Sequence, residues 1–352
     1  MADPHRVAIV GLGVGQLHLE AFRQLPDRFA VVATCDVDGE RAVAAASRVP
    51  GCHAVESLDE VLASDSVDIV DLCTPPWLHA PQVLTALGAG KDVICEKPLA
   101  GSLADLDAIA EAERTTGRWV MPIFQGRFGL GLQRLKALVE SGVAGPGRTA
   151  TIDVSWRRRA DYYTVPWRGR WATELGGVLV TQAIHALDML IYVAGPVASV
   201  SARTSTRVNP IEVEDCAAAV LELQEGMLAT MSATLGSATE ITRHRFCFEN
   251  LSAESNTMAY ANGCEPWAFV GDSPAAVASI DATAVAAGRE GWTGQFTRLS
   301  DGLRTGDGPP VGLADARAAL EVITAMYVSS RSRREVALPI STDHPAYRGW
   351  AP

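Results

Sequence analysis

Through the first third of the chain, short apolar runs alternate with amphipathic stretches. Arg6–Val10, Phe29–Cys35, Val67–Cys73 and Asp92–Cys95 are largely apolar runs of strand length, and Trp119–Ile123 is a further one. Between them, Gln16–Gln24, Gly39–Arg48, His79–Leu87 and Leu103–Arg114 carry apolar residues at helical spacing. Strands buried on both faces and separated by helices build βαβ units, so this part predicts an α/β domain around a doubly wound parallel sheet. From residue 123 onward strands follow one another with few helices between them. Val197–Thr204, Ala217–Leu223 and Met227–Thr234 suit a half-buried antiparallel sheet, with Thr242–Glu249 and Glu335–Pro339 as further members. A helix rich in Ala and Leu over Gly177–Val193 precedes them, another over Gly312–Ser329 comes before the last strand, and Gly302–Pro310 is expected as a loop. The expected division is residues 1–122 and 123–352, the second domain being α+β with a large open, mostly antiparallel sheet.

A chain of 352 residues is long enough for two domains that each bury a core, and 48% hydrophobic with 20% charged residues fits a compact fold. The net charge of -11 argues against a chain-wide attraction to nucleic acid or to an anionic membrane. Cys35, Cys52, Cys73, Cys95, Cys216, Cys247 and Cys264 stand singly, with no CxxC pair, so they read as small core residues in a reducing compartment and no metal is expected. The start, MADPHRVAIVGLG, has no long apolar stretch before the first strand, and no run approaches the ~18 apolar residues of a membrane span. The expected location is the cytoplasm.

Immediately after the first strand comes Gly11-Leu12-Gly13-Val14-Gly15. Glycines there allow a tight turn and let the free N–H groups of the following helix approach a pyrophosphate, whose charge the helix dipole also favours. The run departs from GxGxxG because Gln16 holds the place of the third glycine, and alone it reads equally well as a plain turn. Asp36 ends the second strand at the ~20-residue spacing where an acidic side chain accepts from the adenosine ribose hydroxyls. It would repel a 2′-phosphate, which favours NAD over NADP; alternatively Asp36 caps the next helix, a role Asp38 can equally fill. Thr74-Pro75-Pro76-Trp77-Leu78-His79 follows the third long apolar run and is placed to line the cofactor crevice, unless it is only a Pro-stiffened turn. Glu96-Lys97-Pro98 follows the fourth, where Lys97 can point an ammonium at the nicotinamide end of the crevice or, on the blander reading, sit solvated at the surface.

With these motifs in this order, the sequence resembles the glucose-fructose oxidoreductase/inositol dehydrogenase/MocA family. The resemblance runs along the whole chain: the glycine turn, Asp36, Thr74-Pro75 with His79, Glu96-Lys97-Pro98, Arg127-Phe128, the helix with His185, and the closing strand Val336–Pro339. It implies a Rossmann domain at residues 1–122 that binds NAD, and a domain at 123–352 for substrate binding and oligomerisation. It also implies that Lys97 orients the reacting hydroxyl, with His185 as acid/base. On a regular helix Thr181, His185 and Asp188 share a face. Many relatives carry an aspartate where this chain has Thr181, and a neutral hydroxyl orients an imidazole without stabilising imidazolium, so Lys97 is expected to take more of the proton transfer.

Trp156-Arg-Arg158, Tyr162-Tyr163 and Trp167-Arg168 are dense in rings and guanidinium groups, which suits a hydroxylated ring substrate or, more blandly, a strand edge with surface charge. Arg127 and Gln182 are further substrate candidates. The resulting expectation is an NAD-dependent dehydrogenase acting on a secondary hydroxyl of a sugar, glycoside, nucleotide sugar or inositol, with sugar C3 a candidate position. The alternatives are a biosynthetic ketosugar reductase and a non-catalytic NAD-binding regulator. The partner is a small carbohydrate, with no nucleic acid and no membrane, and the resemblance implies a homodimer or homotetramer.

Overall fold

The computed structural model describes residues 3–283, 285 and 288–352. The chain forms two units: one holds the chain up to Ile123 together with Trp292–Ala316, the other Phe124–Gly291 and Arg317–Pro352.

In the first unit, β1 (His5–Val10), α1 (Gly15–Arg23), β2 (Phe29–Cys35), α2 (Gly39–Ala46), β3 (His53–Val55), α3 (Leu58–Ala63), β4 (Ile69–Leu72), α4 (His79–Gly88), β5 (Asp92–Cys95), α5 (Leu103–Thr116) and β6 (Val120–Pro122) alternate as expected. The strands pair in parallel in the order β3-β2-β1-β4-β5-β6, so the direction of winding reverses between β1 and β4. That reversal opens a crevice beyond the carboxyl ends of those two strands. Helix starts are fixed by short polar side chains. Asp38, Ser57 and Ser102 accept from the backbone N–H three residues on, at 3.2, 3.2 and 3.0 Å. The expected strands Val67–Cys73 and Trp119–Ile123 are shorter, and β3 and α3 were not anticipated.

The unit is completed from far along the chain by α10 (Gly291–Thr305), which the sequence pattern did not reveal. Phe296 stacks on Phe22 at 4.2 Å and meets Phe29 edge-on at 6.4 Å, and its full burial contributes about 2–3 kcal/mol. The expected loop Gly302–Pro310 therefore begins inside a helix. The Gly302 carbonyl accepts from Gly306 and Asp307, both at 2.9 Å, with Gly306 in the left-handed conformation that ends the helix.

The second unit contains α6 (Leu130–Glu140), β7 (Gly147–Arg157), α7 (Trp171–Glu174), α8 (Ile184–Ala194), β8 (Val197–Ser205), β9 (Cys216–Leu223), β10 (Leu228–Thr234), β11 (Gly236–Phe248), β12 (Leu251–Glu254), β13 (Ala268–Gly271), α9 (Pro274–Ala282), α11 (Leu313–Ser332, continuing from the first unit) and β14 (Val336–Ala337). The sheet order is β13-β12-β11-β7-β10-β9-β8-β14, antiparallel except for the parallel β7–β10 pair. Central β7 was not anticipated as a strand. Its Ala150, Ile152, Val154 and Trp156 are buried on the side where α8 packs, while Thr149, Thr151 and Arg157 are exposed. The outer face continues across β9 and β10 with exposed Val220, Leu228 and Thr230. Trp171–Ala194 is apolar and long enough to cross a membrane by length and composition, but 72% of the apolar 18-residue window within it is buried inside the protein.

Candidate active site

At the end of β1 the backbone turns back on itself. Gly11 has φ +90°, and a Cβ there would lie 2.6 Å from the Cys73 carbonyl oxygen, so glycine is required both by conformation and by close approach. Gly15 is tight against Ile9 and Cys73, whereas Gly13 is exposed and a Cβ there would meet nothing within 4 Å. Val14 lies at the N-cap of α1 with no side-chain cap, and with Leu17 N–H donating to the Val14 carbonyl at 2.8 Å the N–H groups before it are the ones placed toward a ligand anion. Asp36, 9% exposed, accepts from Leu12 N at 2.7 Å and from Asp38 N at 2.9 Å and pairs with Arg41 at 3.2 Å. It braces the glycine turn, and Asp38 is the helix cap, which removes the alternative reading of Asp36. Open space at Gly13, an uncapped helix start and a carboxylate at the end of β2 together fit the pyrophosphate and ribose of a dinucleotide.

The loop after β4 and the turn after β5 are tied together by His79. Its Nδ1 lies 2.7 Å from the Pro98 carbonyl and its Nε2 2.7 Å from the Thr74 carbonyl. Burial pushes this imidazole's pKa down, and the two carbonyl contacts act the other way. Both ring nitrogens are engaged by the protein, so His79 braces the crevice rather than reaching into it. The Thr74 hydroxyl donates to Gln82 at 2.6 Å, and Pro75 starts the short turn over Pro76–Leu78. Lys97 is half-buried at the carboxyl end of β5, ahead of a cis bond to Pro98. Its backbone N–H donates to Glu96 Oε2 at 3.1 Å, while Glu96 Oε1 lies 3.2 Å from His18 Nε2. His18 and Asp71, 2.9 Å apart and wholly buried, were not singled out in the sequence. Their signal was a carboxylate in an otherwise apolar strand, which requires a partner when buried.

In the second unit, the expected helix over Gly177–Val193 is not regular. Leu179–Ala183 is π-helical, and α8 begins at Ile184. The wider i→i+5 turn breaks the α-helical spacing on which Thr181 was expected to share a face with His185 and Asp188. The Thr181 hydroxyl donates to the Gly177 carbonyl at 2.7 Å and lies against the Gln182 side chain. Glu214 fixes the start of this segment: it accepts from Gly177 N and Leu179 N at 3.0 Å and from the Tyr327 hydroxyl at 2.9 Å. Burial pushes its pKa up to about 7, against the pull of those hydrogen bonds.

His185 is half-buried and meets the Phe124 ring edge-on at 6.2 Å. Asp188, one turn on, holds Arg127 in a bidentate pair at 2.8 and 2.5 Å, so the Arg127 fork is occupied by the protein rather than presented to a substrate.

The aromatic and arginine segment forms a stacked series. The Arg158 guanidinium lies over Trp156 at 4.9 Å and Tyr162 at 5.1 Å, and that of Arg168 over Tyr162 at 3.9 Å and Trp167 at 4.3 Å. Tyr163 meets Tyr162 edge-on at 5.1 Å, and Gln182 hydrogen bonds Tyr162. Trp156 is buried, with Nε1 donating to Thr242 at 2.9 Å, and Arg158 pairs with Glu240 at 2.5 Å. These two support the series from beneath, while Tyr162, Tyr163, Trp167 and Arg168 remain half-buried at its surface.

Two family models match this chain. One, described as an oxidoreductase family with an NAD-binding Rossmann fold, covers residues 5–124, and the GFO/IDH/MocA C-terminal domain covers residues 132–252. The 4-carboxy-2-hydroxymuconate-6-semialdehyde dehydrogenase of Sphingobium sp. is 32% identical over 200 residues, 56% of this chain and 61% of that protein. The D-glucoside 3-dehydrogenase of Escherichia coli is 31% identical over 215 residues, 59% of this chain and 60% of that protein. The aligned stretch thus covers less than two thirds of either relative. The crystal structure of the WlbA dehydrogenase from Bordetella pertussis, in complex with NADH and UDP-GlcNAcA, superposes with TM-score 0.84 at 28% identity, covering 96% of this chain and 100% of that one.

Proposed function

Because the chain belongs to the GFO/IDH/MocA oxidoreductase family, whose first domain is an NAD-binding Rossmann fold, we propose that it is an NAD(H)-dependent dehydrogenase acting on a secondary hydroxyl of a carbohydrate. The observation that carries the reading is Lys97 at the carboxyl end of β5, where sheets of this winding bind ligands. The substrate class is a sugar, glycoside, nucleotide sugar or inositol. A nucleotide sugar is supported by the ligand of the Bordetella dehydrogenase, and sugar C3 by the name of the Escherichia coli relative.

When bound, NAD+ supplies the hydride acceptor. Gly13 and the start of α1 receive the pyrophosphate, and Asp36 accepts from the ribose hydroxyls. Lys97 donates a hydrogen bond to the reacting hydroxyl oxygen and steadies the negative charge that grows there. His185 takes the hydroxyl proton, and because Thr181 is a neutral side chain where a carboxylate would stabilise the imidazolium, Lys97 carries a larger share of that transfer by taking the proton as the neutral amine, the ammonium so formed then donating to the oxygen. Tyr162, Tyr163, Trp167 and Arg168 present ring faces and a cation to the hydroxylated ring. The enzyme is cytoplasmic and binds neither nucleic acid nor membrane. It is a homodimer or homotetramer, joined through the outer sheet face that carries Val220 and Leu228.

The test is NADH formation, followed by absorbance, with NAD+ against a panel of sugars, glycosides, nucleotide sugars, uronic acids and inositols. A turnover hit that Lys97→Ala and His185→Ala each reduce by about 100-fold or more, with NADH affinity retained, supports the roles. Near-normal turnover in both variants refutes them.

A further inference from the structure

Three buried side chains in the first unit have no part in the proposed mechanism, and they meet Glu96 of the Glu96-Lys97-Pro98 turn. His18 projects from the inner side of α1, Asp71 from the middle of β4, Cys73 from just beyond that strand, and Glu96 from the turn after β5. They are 0, 0, 7 and 5% exposed. His18 Nδ1 lies 2.9 Å from Asp71 Oδ2 and 3.3 Å from Cys73 Sγ, and its Nε2 lies 3.2 Å from Glu96 Oε1. From α10 the ring is covered by Trp292 at 6.0 Å and by the edge of Phe296 at 5.4 Å, neither of which is charged. Carboxylate oxygens only accept, so an imidazole with a carboxylate on each nitrogen satisfies both by donating from both, as imidazolium. Burial is the largest single influence and opposes that charge, but Asp71, through charge and hydrogen bond, together with Cys73 holds the His18 pKa well above the ordinary histidine value. Burial also pushes the Cys73 thiol up, so it stays protonated and donates to Asp71 Oδ1 at 3.7 Å.

The chain of bonds does not end at Glu96. The second oxygen of that carboxylate accepts from the Lys97 backbone N–H at 3.1 Å, so one continuous line runs from Asp71 through His18, on the helix that starts at the glycine turn, to the lysine turn. We infer that Asp71 and His18 are positioning residues: through a buried carboxylate–imidazolium–carboxylate chain they fix Glu96, and Glu96 fixes the backbone of Lys97 beside the cofactor-binding helix. The inference rests on Lys97 acting at the reacting hydroxyl. Its physical content is that a charge-assisted hydrogen bond is roughly twice as strong as a neutral one, and the charge is held inside the protein, away from screening by salt. His18, Asp71 and Cys73 have metal-ligating atoms within 4.8 Å of one another, but an imidazolium has no free lone pair for a cation and a protonated thiol is only a weak ligand.

The test needs no substrate. The chain has three lysines, Lys91, Lys97 and Lys136, so protein grown with 15N-lysine gives three backbone amide signals, with Lys97 identified by its loss in Lys97→Arg. In the wild type, protection of the Lys97 amide against hydrogen exchange should be the same at pH 6 and pH 8. In Asp71→Asn, His18 loses the largest of the influences that hold its proton, while burial still opposes the charge, and it becomes titratable. Lys97 protection should then fall by about fivefold or more at pH 8 and recover to within about twofold at pH 6, with Lys91 and Lys136 unchanged. His18→Gln should lose Lys97 protection at both pH values, with no recovery on acidification. A purely structural loosening would move all three lysines together and independently of pH. Unchanged Lys97 protection in both variants, an equal loss at all three lysines, or one equivalent of metal in the purified protein overturns the inference. Failure of the reading of Lys97 shows separately, as full turnover in Lys97→Ala with the exchange pattern of the wild type at Lys91 and Lys136.

Discussion

Arg127 and Asp188 hold the histidine-bearing helix of the second unit, and breaking them has a calculable consequence. Asp188 lies one turn beyond His185, and its oxygens accept from Arg127 Nε at 2.8 Å and Nη2 at 2.5 Å. The side chains are 6% and 2% exposed. The guanidinium also lies over Tyr192 at 5.0 Å and over Phe124, the ring that meets His185, at 5.7 Å. Removing one partner leaves the other charge buried without this counter-charge, which destabilises by about 3–5 kcal/mol, whereas removing both leaves no such charge. Arg127→Leu and Asp188→Leu are each expected to destabilise by that amount, and the double variant by about 2–3 kcal/mol less than the sum of the two. The assay is urea unfolding followed by tryptophan fluorescence at low and high salt. Because water does not reach the pair, the coupling should change little with ionic strength. Single variants that each lose less than about 1 kcal/mol, with an additive double, would refute the buried-pair argument and return Arg127 to the candidates for substrate contact.

Asp36→Ala should raise the preference for NADP+ relative to NAD+ by about tenfold, because the carboxylate that repels a 2′-phosphate is gone while Arg41, its ion-pair partner, remains; an unchanged ratio in kcat/KM counts against the ribose role. Gly11→Ala places a Cβ 2.6 Å from the Cys73 carbonyl oxygen at φ +90°, so NADH affinity, read by fluorescence titration, should fall by at least about tenfold, with a stability loss of about 1–3 kcal/mol. For Glu214, the folded state holds the proton more tightly than the unfolded chain, with a pKa of about 7 against the ordinary carboxylate value. The stability it contributes, about 3 kcal/mol relative to its ionised form, is therefore fully present below the ordinary value and is lost as pH rises to about 7. Unfolding free energies of wild type and Glu214→Gln measured from pH 4.5 to 8 should diverge over that interval, the wild type losing ground as pH rises, and parallel curves contradict the assignment.

The winding of the first unit was readable from its apolar runs because a strand buried on both faces must be apolar throughout, and a cap such as Asp38 is written in the residue that makes it. The Gly11 turn was readable because the conformation there admits little else. Strand β7 has a legible pattern, since Ala150, Ile152, Val154 and Trp156 alternate with polar residues, but its arginine-rich end fits a binding segment as well as a paired strand. Other features had no local signal. A π-helical stretch replaces the regular turn expected at Thr181, and the carboxylate that accepts from the start of that stretch is Glu214, 33 positions after Thr181.

Local chemistry along the chain dictated the elements, the glycine turn, the Glu96-Lys97-Pro98 end of β5 and the acidic end of β2, since these depend on periodicity and on residues a few positions apart. Folding assigned the partners: α10 to Phe22, Arg127 to Asp188, and His18 to Asp71 and Glu96. A buried charge must find its counter-charge wherever the topology brings one, and sequence separations of 53, 61 and 78 residues carry no trace of which pair will meet.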